Sequence, residues 1–220
     1  MPSQELTLYH SPQTRSTGVR VLLEELDVPY TLHALNGRAG ELDAPAYLAV
    51  NPLGKVPAIV HKGVLVTEQP AIYTYLADTF RDKALSPALG DPHRGSFLRW
   101  MSFYGSSFEP AAIDRALKRD GGSPGMSPYG TFDAVIGTFT SHLEKSPYFL
   151  GDRFSAVDVL WGSALGWMIG FKIVPATPTL RSYVERVTSR PSFAKVNASD
   201  AELAAGFEAA AQGSRSTPGT

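Results

Sequence analysis

The sequence predicts two domains of different class, an α/β N-terminal domain and an all-α C-terminal helical domain. Three observations lead there. Short alternating segments rich in β formers occur only before about residue 70, and they alternate with helical periodicity. Beyond residue 92 every periodic segment has the helical repeat. Between them, residues 81–91 carry the Asp, Lys, Ser, Pro and Gly of a linker. The expected division is 1–80, a linker over 81–91, helices over 92–211 and a frayed polar tail over 212–220. A chain of 220 residues is long enough for two small cores.

In order, Leu6-Thr7-Leu8-Tyr9 reads as the first strand and Ser11–Arg15 as a polar turn. Thr17–Leu26 repeats its apolar residues at i, i+3 and i+4, with Ser16 as N-cap and Asp27-Val28-Pro29 as the stop. Tyr30–Leu35 alternates as a second strand, and a short helix follows near Ala46–Val50. Asn51-Pro52-Leu53-Gly54 is a turn feeding a third strand, Ala58–His61; Lys62-Gly63 then turns the chain into Val64–Thr67 as hairpin partner. Pro70 opens a helix to about Thr79 from its tolerated first position. Helical periodicity then covers 94–120 and 129–145, with Gly121–Gly125 as the break. Ser155 and Asp158 form an acidic capping box before an apolar-all-round helix to Gly170, which belongs in a core. Thr179–Ser189, Pro191–Val196 and Asp200–Ala211 read as three further helices.

Composition narrows the function classes. A net charge of −1 gives no electrostatic case for nucleic acid or an anionic membrane. No apolar run approaches the roughly 18 residues that span a bilayer, and Met-Pro-Ser-Gln-Glu is not a signal sequence; the expected location is cytoplasmic. With no cysteine, any thiol chemistry must use a substrate's sulfur. The five histidines lack metal-ligand spacing, so no metal is expected. Pro57 stands at the mouth of a strand, where the missing N–H costs no ladder bond. A cis bond before it would turn the backbone of Val56 outward, as a template for an extended peptide.

These fragments, taken in order, resemble the glutathione transferase family: Leu8-Tyr9-His10-Ser11-Pro12, Leu23-Glu24-Glu25-Leu26, Asn51-Pro52-Leu53-Gly54-Lys55-Val56-Pro57, Thr67-Glu68, and Phe149–Asp158. The resemblance covers nearly the whole chain and is nearest to bacterial members of the β type. It implies a thioredoxin-like glutathione-binding domain with a cis-proline, an all-helical domain supplying the second-substrate pocket, and a homodimer. Where the β class places a cysteine, this chain holds Arg15, with Thr14 and Ser16 on either side.

Glutathione is an extended tripeptide whose thiolate is the nucleophile. Helix N-termini favour anions, and a hydroxyl donating to sulfur adds a charge-assisted bond. Thr14, Ser16 and, less directly, Ser11 are the candidate donors; Arg15 can add charge. Ser16 also reads as a plain N-cap and Thr14 as a turn residue. The resemblance gives Val56, behind Pro57, the cysteinyl backbone of glutathione, Lys55 the glycyl carboxylate, and Glu68 with the Gln69 N–H the γ-glutamyl end. Pro70 removes one donor from that anion site. Trp100, Phe103, Tyr104, Ser107 and Phe108 are candidates for the second-substrate pocket, with ordinary core as the rival reading. The expected activity is transfer of glutathione to a small hydrophobic electrophile, or peroxide reduction. The rivals are disulfide reduction without an enzyme cysteine, and a non-catalytic glutathione-binding module.

Overall fold

The computed structural model describes the backbone of residues 6–215 and the side chains of residues 6–212. By packing, the chain forms two compact units: Met1–Glu68 with Pro191–Thr220, and Gln69–Arg190.

The first unit is built on a four-stranded sheet of order β2-β1-β3-β4, with β1 (Leu6–His10), β2 (Thr31–Ala34), β3 (Ala58–His61) and β4 (Val64–Val66). Strands β1 and β2 are parallel; β1–β3 and β3–β4 are antiparallel. Alternation puts Leu6, Leu8 and His10 of β1 on a buried face, so a polar ring ends an otherwise apolar row. Lys62 (φ 51°) and Gly63 (φ 78°) both take the left-handed region, as the two-residue hairpin turn requires.

Helix α1 (Ser16–Leu26) buries Val19, Leu22, Leu23 and Leu26. It ends as expected: Asp27 is left-handed, and the N–H groups of Asp27 and Val28 return to the carbonyls of Glu24 and Leu23. Its start differs from the sequence reading. Ser16 lies inside the helix and Arg15 is already helical, so the Thr14 oxygens take the capping role. Thr14 Oγ1 accepts from the Ser16 N–H at 3.2 Å, and the Thr14 carbonyl accepts from the Thr17 N–H at 3.1 Å. Helix α2 (Pro45–Leu48) is a single turn before the central loop.

The two short helices expected over 191–211 are one helix, which runs Pro191–Arg215 and packs on α1. Tertiary bonds override the weak propensity of Asn197-Ala198-Ser199-Asp200. Arg20 of α1 holds both Ser199 Oγ and the Asp200 carboxylate, and Thr17 Oγ1 donates to Asp200 at 2.5 Å. The helix therefore enters the stretch read as a tail from 212; residues 216–220 lie outside the described residues.

The second unit is helical: α3 (Gln69–Thr79), α4 (Arg94–Phe103), α5 (Glu109–Leu117), α6 (Phe132–Leu143), α7 (Ala156–Gly170) and α8 (Pro178–Thr188). By packing, α3 joins this unit, resting on α7 and α4. The single helix expected over 94–120 has a π-turn at Tyr104–Phe108. Pro110 has no N–H for the carbonyl one turn back, so the ladder widens just before it. Helix α7 is the core element, as its all-round apolarity predicts: Trp161 is fully buried among Trp100, Tyr104, Phe108, Phe139 and Phe149. The Trp161 indole N–H donates to the Trp100 carbonyl at 3.1 Å. Asp158 holds the start of α7. It accepts from the N–H of Ser155 (2.9 Å) and of Phe149 (3.0 Å), and from the hydroxyls of Ser155 and Tyr183 (both 3.1 Å).

Candidate functional site

The topology of the first unit brings its candidate residues to one end of the sheet. Parallel β1 and β2 finish there, antiparallel β3 begins there, and α1 starts from the loop after β1. Four pieces of chain converge: the loop 11–15, the segment after β2, the approach to β3 carrying Lys55-Val56-Pro57, and the N-terminus of α1.

The approach to β3 is a fixed platform. Asn51–Gly54 closes as a turn, with the Gly54 N–H on the Asn51 carbonyl at 2.9 Å. Gly54 has φ +60°, and a Cβ there would stand 2.9 Å from the Leu42 carbonyl oxygen, so only glycine fits without movement. Next, the Lys55 carbonyl accepts two bonds, from Tyr47 Oη at 2.5 Å and Asn51 Nδ2 at 2.8 Å. Tyr47 and Asn51 are both buried. Burial, against a weaker opposing bond from Asn51, pushes the Tyr47 hydroxyl up to about 12, so it stays a donor at neutral pH. The Val56–Pro57 peptide is cis. Among the described residues the N–H and C=O of Val56 have no partner. An edge pair held rigid on one side and open on the other is what an extended peptide needs. The Lys55 side chain is exposed.

Glu68, exposed, ends the same unit with φ +64°, a conformation that costs a non-glycine residue roughly 1–2 kcal/mol. Such positions gather at ligand-binding sites. Gln69 is the first residue of α3; it is buried, and its side chain accepts from Tyr104 Oη at 3.1 Å within the second unit.

The loop 11–15 holds the hydroxyls. Ser16 has no exposure, and its Oγ contacts His10 Nδ1 (2.8 Å), Thr14 Oγ1 (2.7 Å), the Ser11 N–H (3.2 Å) and the Ser11 carbonyl (3.1 Å). Thr14 is half-buried, with Oγ1 2.7 Å from the Ser11 carbonyl as well. Arg15 is exposed. Of the four thiol-site candidates, Ser11 and Ser16 are buried, whereas Thr14 and Arg15 reach the surface. Beside this loop lies a cavity of about 520 Å³ bordered by Ser11, Gln13, Asn36, Arg38, Phe207 and Glu208. Arg38 crosses it, pairing with Glu208 at 2.5 Å and with Gln13 Oε1 at 3.3 Å.

Sequence reading missed His10, Arg38, Tyr47 and Asp200. Tyr47 and Asn51 sit four residues apart before the Pro57 motif, a spacing that could have flagged a shared acceptor. Asp200 has no sequence signal: 180 residues separate it from Arg20. The aromatics proposed for a second-substrate pocket divide. Trp100, Tyr104 and Phe108 are core, whereas Phe103 and Ser107 are half-buried. Among the described residues no three His, Asp or Glu converge as metal ligands, and no helix is long and apolar enough to cross a membrane.

Comparison with known proteins supplies a name for the pattern. Residues 4–78 match the glutathione S-transferase N-terminal domain model, and residues 110–186 match the corresponding C-terminal domain model. A glutathione S-transferase of Hyoscyamus muticus is 26% identical over 207 residues, covering 84% of this chain and 95% of that protein. A glutathione transferase structure from Methylococcus capsulatus superposes with a TM-score of 0.73 at 25% identity, covering 89% of this chain and 98% of the other. A sphingomonad glutathione S-transferase complexed with glutathione gives 0.72 at 25% identity, again covering 89% and 98%. The thioredoxin-like plus all-α architecture follows from these likenesses together with the mixed sheet.

Proposed function

This chain belongs to the glutathione transferase family, and on that premise we propose how it holds and activates glutathione. It acts as a glutathione transferase, with glutathione as cosubstrate and a small hydrophobic electrophile as acceptor; peroxide reduction is the second use of the same thiolate. The observation that carries this reading is the open backbone of Val56 at the same end of the sheet as the start of α1.

In the proposal, the cysteinyl backbone of glutathione pairs with Val56 in strand fashion, behind Pro57. Lys55 meets the glycyl carboxylate. Glu68 takes the γ-glutamyl ammonium, and the N–H of Gln69, next in the chain, meets the adjacent carboxylate at a helix start. The sulfur then lies by the first turn of α1, whose dipole favours the anion. Thr14 is the hydroxyl that touches it. Ser16 supports Thr14 from behind, and Arg15 adds positive charge to the loop. Residues 1–80 supply the glutathione half and 92–211 the acceptor half. The working form is a homodimer in the cytoplasm, without metal; light scattering tests the assembly.

Calorimetry with glutathione and conjugation of a halonitroarene test the reading together. Binding with turnover, and a kcat lowered by Thr14→Val with little change in KM, is the expected result. Absence of both binding and turnover in the purified protein defeats it. No observation favours the disulfide reductase or the non-catalytic module.

A further inference from the structure

His10 ends the buried row of β1 with no exposure, and glutathione binding alone gives it no task. Counting protons around it assigns one. Three short contacts run in series: His10 Nδ1 to Ser16 Oγ at 2.8 Å, Ser16 Oγ to Thr14 Oγ1 at 2.7 Å, and Thr14 Oγ1 to the Ser11 carbonyl at 2.7 Å. Each needs one proton. The carbonyl brings none and the two hydroxyls bring one each. The third comes from Nδ1. If Nδ1 were the acceptor instead, one of the 2.7 Å pairs would face lone pair to lone pair. The longer contact from Ser16 Oγ to the Ser11 carbonyl, 3.1 Å, does not remove that conflict.

At the other side of the ring, Nε2 lies 3.1 Å from Asp200 Oδ1, off the direction of a hydrogen bond. Burial works to raise the Asp200 carboxyl, but the bond from Thr17 and the charge of Arg20 work against it, and the carboxyl lies below the usual range. Arg20 and Asp200 pair behind the first turn of α1, beside the His10 ring.

We propose that His10, held by Asp200, is a positioning residue for the glutathione thiolate. Its Nδ1–H fixes the direction of the Ser16 and Thr14 hydroxyls, so that the Thr14 proton is the one able to swing from the Ser11 carbonyl to sulfur. Ser16 passes the polarisation and never touches the ligand. The inference takes its ligand from the glutathione reading, but the hydrogen-bond chain stands in the free protein.

The first test needs no variant and no ligand. Full-length protein with ¹⁵N-labelled histidine is examined at pH 7, with the His10 ring assigned through its backbone. A proton on Nδ1 is expected; an unprotonated Nδ1 overturns the proposal. The second test compares His10→Leu with His10→Asn, whose amide can still donate to Ser16. His10→Leu is expected to lower kcat and the thiolate absorbance of bound glutathione about tenfold, with KM for glutathione within twofold, and His10→Asn to restore most of the loss. Equal activity of His10→Leu and wild type, or His10→Asn no better than His10→Leu, refutes it. Should His10→Leu not fold, the ring-proton measurement decides alone. A wild-type protein that binds no glutathione defeats the functional reading, while the ring protons still judge the chain of hydroxyls.

Discussion

The Lys55 carbonyl gives a sharp test of how the platform is held. Its two lone pairs are filled by Tyr47 and Asn51, both buried. Tyr47→Phe removes one donor and leaves the carbonyl satisfied, so it should cost about 1 kcal/mol of stability. Asn51→Ala removes that bond's companion and also the 3.2 Å bond in which Asn51 Oδ1 accepts the Leu53 N–H. Two lost bonds put it at about 2 kcal/mol. The double variant leaves the carbonyl with neither donor, and an orphaned acceptor adds its own desolvation cost. The double loss should therefore exceed the sum of the singles by about 1 kcal/mol. Urea denaturation of the four proteins measures the cycle. Because Val56 follows Lys55 directly, the same variants should raise KM for glutathione a few-fold and leave kcat nearly unchanged. Additivity within about 0.3 kcal/mol would refute the shared acceptor. A fall in kcat at constant KM would refute the platform role.

Other outcomes can be checked in parallel. Gly54→Ala meets the Leu42 carbonyl at 2.9 Å and a positive φ, so a loss of roughly 2 kcal/mol and weaker glutathione binding by calorimetry are expected; wild-type behaviour would mean the loop yields freely. Gly162→Ala puts a Cβ 2.4 Å from Val187 Cγ1, where α7 meets α8; thermal unfolding should show about 1–3 kcal/mol of destabilisation, and its absence would contradict the close packing of that pair. Asp158 adds a pH dependence. Burial raises its carboxyl to about 6 from 3.8, outweighing four hydrogen bonds. The folded state then holds a proton that the unfolded state has released, so this group's contribution to stability increases as pH falls from about 6 towards 4 and is lost as pH rises through that window. Asp158→Asn should be less stable at pH 7 by about 1–3 kcal/mol, because the Ser155 N–H loses its acceptor, and should lack that slope in denaturation curves at stepped pH. An unchanged slope would mean the carboxyl stays ionised throughout.

Much of the fold was legible in local pattern. Alternation located β1 and β2, and the turn at 51–54 and the Lys62-Gly63 pair located β3 and β4, because side-chain period and turn geometry are properties of a few adjacent residues. The capping pair Ser155–Asp158 was readable for the same reason. The platform was legible too: Asn51-Pro52-Leu53-Gly54 states its turn, and Pro57 states that the neighbouring backbone does not continue a ladder.

What the sequence left open was settled by side chains that meet across long separations. Ser16 and Thr14 are equally plausible donors on paper. Only the packed fold shows that Ser16 is sealed against His10 while Thr14 stays half-open. The same holds for the single helix Pro191–Arg215: its weak middle is helical because Arg20 and Thr17 hold Asp200, and no window of local propensity contains those partners. Period, turn chemistry and composition therefore determined the two-part architecture and the open backbone edge before β3. Burial and hydrogen-bond satisfaction, which exist only once distant segments exclude water together, decided which hydroxyl reaches the surface and which groups stand behind it.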